Sequence, residues 1–133
     1  MTNKKGNPEA DIQRPIVKDL RRLLLPPFYV HHSANEVRAG GEQARRRQAI
    51  LLGMGIHTGF SDLLVAQRLP IWERPLLLYM EVKTETGCLT PAEIEFRDLV
   101  ELMGWPFVIV RSSVDALEAV TAHGFATRMK RAL

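Results

Sequence analysis

Residues 59–83, GFSDLLVAQRLPIWERPLLLYMEVK, contain two apolar runs of strand length. The runs cover 61–66 and 76–83, and the connection between them contains Pro70 and Pro75. Apolar runs bounded by turn-forming residues favour strands, and two runs joined by a short connection favour a hairpin. We therefore predict that this segment forms two neighbouring antiparallel strands.

Three charged side chains lie at one end of the predicted hairpin. Facing residues of an antiparallel pair have a constant sum of residue numbers, so pairing Asp62 with Glu81 puts the hairpin centre between Ile71 and Trp72. That centre lies within the proline-bounded connection. Glu81 and Lys83 are two residues apart and therefore project from the same face of their strand. The register permits both carboxylates to share one end of the sheet.

Such a pair of carboxylates suits a hard divalent cation. Two adjacent carboxylates repel each other unless a cation is near. A divalent ion with oxygen ligands can activate a water and polarise a phosphoryl group, and a lysine can stabilise the charge that develops. The alternative is that Glu81 and Lys83 belong to an exposed strand face. The spacing alone does not decide between the two interpretations.

The other elements are predicted from apolar periodicity and from start and stop signals. The first helix ends near Leu25; it begins either before Glu9 or near Asp11, because Pro15 fits best in a first turn. Residues 1–7 are predicted to be disordered. Strands are predicted at Phe28–His32 and 107–111, and helices at 42–52, 90–103, 114–120 and 125–132.

Composition indicates one compact domain spanning residues 1–133. The chain is 46% hydrophobic and 25% charged, which suits a globular protein with a core. No apolar run approaches the roughly 20 residues of a membrane helix. The polar N-terminus lacks the apolar stretch of a secretory signal, so the cytoplasm is the simplest location. The single cysteine, Cys88, excludes an internal disulfide framework and a cysteine-rich zinc site.

Basic residues are clustered along the chain, although the net charge is only +3. Arginines occur at 21–22 and 45–47, and arginine and lysine occur together within 128–131. Such clusters can neutralise phosphates, and they are also typical of solvated helix faces. Charge alone favours the second interpretation.

The segment around the hairpin resembles a known nuclease signature. Gly59-Phe60-Ser61-Asp62-Leu63 followed by Glu81-Val82-Lys83 is similar to the PD-(D/E)xK motif, with Ser61 at the usual proline position. The residues that follow are more specific: Gly87, Leu89, Thr90, Pro91, Glu93, Leu99, Gly104, Val108, Val110, Arg111 and Ser112. Together with Gly55, this string resembles the VRR-NUC family, the virus-type replication-repair nucleases, over roughly residues 9–115.

The resemblance implies an α/β fold with a restriction-endonuclease-like core, in which α-helices flank a mixed β-sheet. It also implies hydrolysis of DNA phosphodiester bonds with Mg²⁺ or Mn²⁺. Stand-alone members of the family look like homodimers that act on branched DNA such as four-way junctions. By the match, Asp62, Glu81 and the backbone carbonyl of Val82 bind the metal. Lys83 is the catalytic lysine, and Glu9 corresponds to an acid on the first helix.

Glu93 falls where the family usually has glutamine. Its carboxylate can join the catalytic site or form a capping box with Thr90, and we expect the two roles to be compatible only in part, because one side chain cannot reach everywhere. In a nuclease, the basic helix and the loop before it are expected to contact the DNA backbone through Arg45, Arg46, Arg47 and Asn35. Two alternatives stay open: a DNA-binding or scaffolding module that does not cut, and a nuclease for flaps or duplex ends.

Overall fold

The computed structural model describes residues 7–33 and 41–128. Their order of elements is α1 (Pro8–Leu23), β1 (Phe28–His32), α2 (Gly41–Gly53), β2 (Leu63–Gln67), β3 (Leu76–Val82), α3 (Pro91–Leu102), β4 (Phe107–Val110) and α4 (Ser113–Ala122). This order confirms the predicted one as far as α4. It also confirms the predicted α/β class with a mixed sheet.

The sheet has the strand order β1-β2-β3-β4. Neighbours β1 and β2 are antiparallel, as are β2 and β3, whereas β4 is parallel to β3. Leu63 faces Met80, which confirms the register predicted from the pairing of Asp62 with Glu81. A parallel pair needs a crossover connection, and α3 supplies it. The start of β2 and the ends of β3 and β4 therefore meet at one edge of the sheet.

Alternation along β3 divides its side chains between two helical layers. Leu78, Met80 and Val82 are buried in the main core, which also contains residues of α1 and α4. Tyr79 projects from the opposite face and contacts the ring of Phe96 on α3. Glu81 has the same parity as Tyr79, so its side chain lies on the α3 face of the sheet.

Helix α1 begins earlier than a start near Asp11 would allow. The side chain of Asn7 accepts hydrogen bonds from the N–H groups of Glu9 and Ala10, and Pro8 occupies the first turn. Both features are favourable at a helix start. Pro15 is accommodated inside the helix. Glu9 consequently lies in the first helical turn. The predicted disorder at 1–7 is wrong for Asn7, because its side chain caps the helix, and residues 1–6 lie outside the described residues.

The predicted helix at 125–132 is wrong in its described part. Thr127 instead pairs with Leu24 in an isolated antiparallel bridge. The buried amide of Gln67 donates to the carbonyls of Leu25 and Ala126 and accepts from the N–H of Ala126. These bonds hold the chain around Ala126 in an extended conformation, which is incompatible with a helix at this position. The remainder of the prediction, 129–132, lies outside the described residues.

Helix α2 confirms the predicted basic helix, and none of its residues is buried. Of the helices in the described ranges, none is long and apolar enough to cross a membrane.

Candidate active site

Asp62 and the end of β3 come together as the hairpin register predicts. Asp62 directly precedes β2, and one of its carboxylate oxygens, Oδ2, accepts a hydrogen bond of 2.8 Å from the N–H of Val82. Glu81 lies in β3, and Lys83 follows the last residue of that strand. The structure therefore brings Asp62, Glu81 and Lys83 to the same edge of the sheet.

The main chain of Asp62 is fixed by β1 and α1. Its carbonyl accepts a hydrogen bond of 2.9 Å from the N–H of Ser33 and lies 3.3 Å from Nδ1 of His32. The amide of Gln13 on α1 lies 3.0 Å from the same ring nitrogen. Gln13 also fits the VRR-NUC pattern, but its contact with His32 was not predicted, because only the folded chain places it beside a strand 19 residues away.

Lys83 is the cationic centre of the site. Only 5% of this residue is exposed. Its ammonium nitrogen lies 2.8 Å from Glu93, 3.8 Å from Glu81 and 3.9 Å from Glu9. Burial opposes the charged form, but the contacts with Glu93, and then the charges of Glu9 and Glu81, give a net increase in the pKa of Lys83. The ammonium therefore stays charged at neutral pH and can stabilise negative charge on a substrate.

Glu93 forms the predicted capping box and also contacts Lys83. Its Oε1 accepts the N–H of Thr90, and its own N–H donates to the hydroxyl of Thr90, which completes the capping box. The same Oε1 lies 2.8 Å from the ammonium of Lys83. Burial raises the pKa of Glu93, but the hydrogen bonds from Lys83 and Thr90 outweigh it and lower the pKa overall. One carboxylate makes both contacts because the helix start itself faces Lys83; a catalytic role for Glu93 stays a prediction.

Glu81 is the most deeply buried acid of the site, with 1% of its surface exposed. Burial, followed by the charges of Asp62 and Glu93, raises its pKa to about 10. Its Oε1 has no hydrogen-bond partner among the described residues. Buried carboxylate oxygens are normally hydrogen-bonded or bound to a cation, so an orphaned oxygen beside a second carboxylate is a position that suits a cation.

The donor set fits a magnesium-like ion better than a site built from protein ligands alone. In the described part of the chain, no group of three His, Cys, Asp or Glu side chains is arranged to hold a metal. Mg²⁺, however, usually takes one or two carboxylates and keeps several waters. Asp62 and Glu81 meet that requirement, and the backbone of Val82 contacts the carboxylate of Asp62. Glu9, by contrast, faces Lys83.

Replacing Glu81 by glutamine is expected to stabilise the metal-free protein at neutral and alkaline pH. The pKa of Glu81 is higher in the folded than in the unfolded state, so the folded state binds more protons between about pH 4.5 and pH 10. Stability must then fall as pH rises through this range. Glutamine removes this loss, and we expect thermal melts in EDTA to show a gain in Tm that is larger at pH 8 than at pH 5.

The matched control is Glu95→Gln, which changes an exposed acid on α3. It should shift Tm little and by the same amount at both pH values. A Glu81→Gln gain that is equal at pH 5 and pH 8 would contradict the raised pKa of Glu81.

Arg111 holds the loop that follows Lys83. Its guanidinium donates to the carbonyls of Thr84, Glu85 and Gly87. Arg111 follows β4, which is parallel to β3, so both strand ends open into the same loop region. The sequence matched this arginine to the VRR-NUC pattern without a role. The structure shows that Arg111 fixes the loop after Lys83, because the parallel pairing of β3 and β4 places the arginine next to that loop.

The predicted DNA-binding arginines lie on α2. Arg45, Arg46 and Arg47 are exposed, and Arg46 forms an ion pair with Glu42 at 3.6 Å. None of these arginines contacts the described residues of the acidic site. Asn35 lies outside the described residues.

The similarity of this chain to known proteins lies in its fold. No protein-family model matches the sequence, and no curated protein matches it significantly. A solved structure described as a "VRR_NUC domain protein" matches with a TM-score of 0.67 and 20% sequence identity, over 91% of each chain. The expected α/β fold, with helices flanking a mixed sheet, is thus confirmed. This chain shares, over nearly its whole length, the fold of a VRR_NUC domain protein.

Proposed function

We propose that this protein is a metal-dependent deoxyribonuclease that hydrolyses phosphodiester bonds. The observation that carries the proposal is the buried ammonium of Lys83, which lies among the carboxylates of Glu81, Glu93 and Glu9 while Asp62 touches the same strand end. A structural ion pair would need one acid. This site has an excess of acids and an orphaned oxygen, which is typical of catalytic rather than purely structural clusters.

Each residue of the site has a separate task in this proposal. Asp62, Glu81 and the carbonyl of Val82 would hold Mg²⁺ or Mn²⁺, with Glu9 as a further acid nearby. The ion, when bound, supplies an activated water and polarises the phosphoryl group. Lys83 stabilises the negative charge that develops on the phosphate, because its ammonium is held in a buried position. Glu93 orients Lys83 and thereby acts on catalysis.

Branched DNA is the proposed substrate, and a homodimer is the proposed assembly. The fold shared with a VRR_NUC domain protein supports a nucleic-acid substrate. Exposed arginines on α2 are suited to the phosphate backbone, which gives affinity without base specificity. A dimer would place two sites across one junction. The single exposed cysteine is compatible with the proposed cytoplasmic location.

A module that binds DNA without cutting is the second candidate. It is favoured by the tight contact between Glu93 and Lys83, which engages the ammonium before any substrate is present. A nuclease for flaps or duplex ends would share the same chemistry and differ in the path of the DNA.

Manganese titration separates the nuclease from the non-cutting module. In isothermal calorimetry, the wild-type protein is expected to bind Mn²⁺, and Asp62→Asn to bind it at least about tenfold more weakly, because a charged ligand is lost. The matched control is Asp98→Asn, an exposed acid on α3. It should bind as the wild type does. Absence of Mn²⁺ binding by the wild type, or equal affinity in Asp62→Asn, would contradict the proposal.

A further inference from the structure

A basic groove runs from the acidic site along the exposed side of α1. It has a volume of about 800 Å³ and lies between α1 and the edge strand β1. Glu9, which contacts Lys83, lines it, and so does His32, which contacts the carbonyl of Asp62. The groove is therefore continuous with the site described above.

The charge of the groove is strongly positive. Its lining includes four cationic side chains and one carboxylate, that of Glu9; the cations are Arg14, Lys18, Arg21 and Arg22. Two of the cations have acidic neighbours on the helix, since Arg14 pairs with Asp11 and Arg22 with Asp19. Pairs this exposed are weak, so a polyanion can compete for these cations.

The spacing of the cations matches a nucleic-acid backbone. Arg14, Lys18 and Arg22 are separated by four residues each and lie along one side of α1. At about 1.5 Å per residue they extend over roughly 12 Å. One strand of duplex DNA carries a phosphate about every 3.4 Å along the axis, so this length corresponds to about three phosphates.

The groove is suited to the backbone and not to the bases. Among the described residues that line it there is no Phe, Tyr or Trp, and the one aromatic ring, that of His32, already contacts Gln13. Its other polar side chains include Gln13 and His32, which already contact each other. Contacts to phosphates position a nucleic acid without reading its sequence.

We propose that the groove between α1 and β1 binds the phosphate backbone of one DNA strand that continues from the active site. This proposal rests on the proposed nuclease function, because it takes Glu9 as the point where the strand leaves that site. It adds a second contact surface to the arginines of α2. Binding through this groove is independent of DNA sequence and decreases with salt.

The test measures how DNA affinity depends on salt. Fluorescence anisotropy in EDTA records the Kd of a labelled four-way junction between 50 and 300 mM NaCl for Arg14→Gln/Lys18→Gln. Both side chains are exposed, so the fold should be kept. Loss of about two phosphate contacts lowers the slope of log K against log salt by about 1.8, and the affinity at 0.1 M salt by several tens of fold.

Two matched variants show whether position and charge are what matters. Arg74→Gln changes an exposed arginine in the connection between β2 and β3, at the opposite end of the hairpin, and should keep the wild-type slope. Arg14→Lys/Lys18→Arg keeps both charges and should keep most of the slope. A groove variant with the wild-type slope would overturn the proposal, as would an equal loss of slope in Arg74→Gln.

The groove proposal and the nuclease proposal can fail separately, and each failure gives a different experimental result. If the wild type cuts no DNA but the groove variant still loses its slope, the groove is supported and the nuclease proposal falls. If the wild type cuts DNA and the slope is unchanged, the groove proposal falls alone. Binding of poly-L-glutamate that needs Arg14 and Lys18, with DNA binding unaffected, would also overturn it and would assign the groove to an acidic peptide.

Discussion

Gly59→Ala is expected to lower the free energy of unfolding by about 2–5 kcal/mol. Gly59 has a φ of +80°, in the left-handed region where an alanine is strained. A Cβ at this position would lie 2.6 Å from the carbonyl carbon of Ala92 and 3.0 Å from the N–H nitrogen of Glu93. Both are backbone atoms of α3, so neither can move aside cheaply. Thermal melts should show a decrease in Tm of roughly 10 °C.

Gly104→Ala is the matched control for this change. Gly104 also has a positive φ, +93°, but a Cβ there meets no atom within 4 Å. It should therefore show the conformational strain without the collision, about 1 kcal/mol. If the two variants lost the same stability, the close approach of residue 59 to α3 would not exist. That approach matters for the site, because Gly59 lies three residues before Asp62 and its contact lies beside Glu93.

The parts of the fold that could be predicted depend on local signals. Pairing Asp62 with Glu81 put the hairpin centre between the two prolines, and this register proved right, since a slip of one residue would turn every apolar side chain to the wrong face. The capping box of α3 was predictable from local spacing, since Thr90 and Glu93 are three residues apart. The hairpin also predicted that Asp62, Glu81 and Lys83 lie near one another, whereas their proposed roles came from the family resemblance.

The parts that could not be predicted depend on contacts between distant residues. The amide of Gln67 holds Ala126, which is 59 residues away, and thereby replaces the helix expected at the C-terminal end. Arg111 binds carbonyls 24 to 27 residues earlier in the chain. No periodicity or spacing encodes such contacts, because they depend on how completed elements pack.

The contact of Glu93 with Lys83 belongs to the same class. A capping box is a local motif, and only the resemblance to the VRR-NUC family indicated that its carboxylate could also join the site at the end of β3. The crossover from β3 through α3 to the parallel strand β4 brings the first turn of α3 over Lys83. Glu93 therefore places a charge next to the ammonium of Lys83 and raises the pKa of Lys83, despite the opposing effect of burial.

Lys83→Met is expected to slow DNA cleavage by about 10²–10³-fold. Methionine approximates the length of the lysine side chain but removes the charge that would stabilise the phosphate in the transition state. It also leaves Glu9, Glu81 and Glu93 without their shared cation, so some loss of stability is expected in EDTA. Circular dichroism at the assay temperature must therefore show that the variant is folded. Arg74→Gln, which lies far along the hairpin, is the control.

The most direct measurement is single-turnover cleavage of a labelled four-way junction in Mg²⁺ at pH 7.5 by the wild type, Lys83→Met and Arg74→Gln. The wild type and Arg74→Gln are predicted to cut at the same rate, EDTA to abolish cutting, and folded Lys83→Met to cut about 10²–10³-fold more slowly. Equal rates for Lys83→Met and the wild type would contradict the role of Lys83. A wild type that cuts neither the junction nor a flap or duplex end would contradict the nuclease itself.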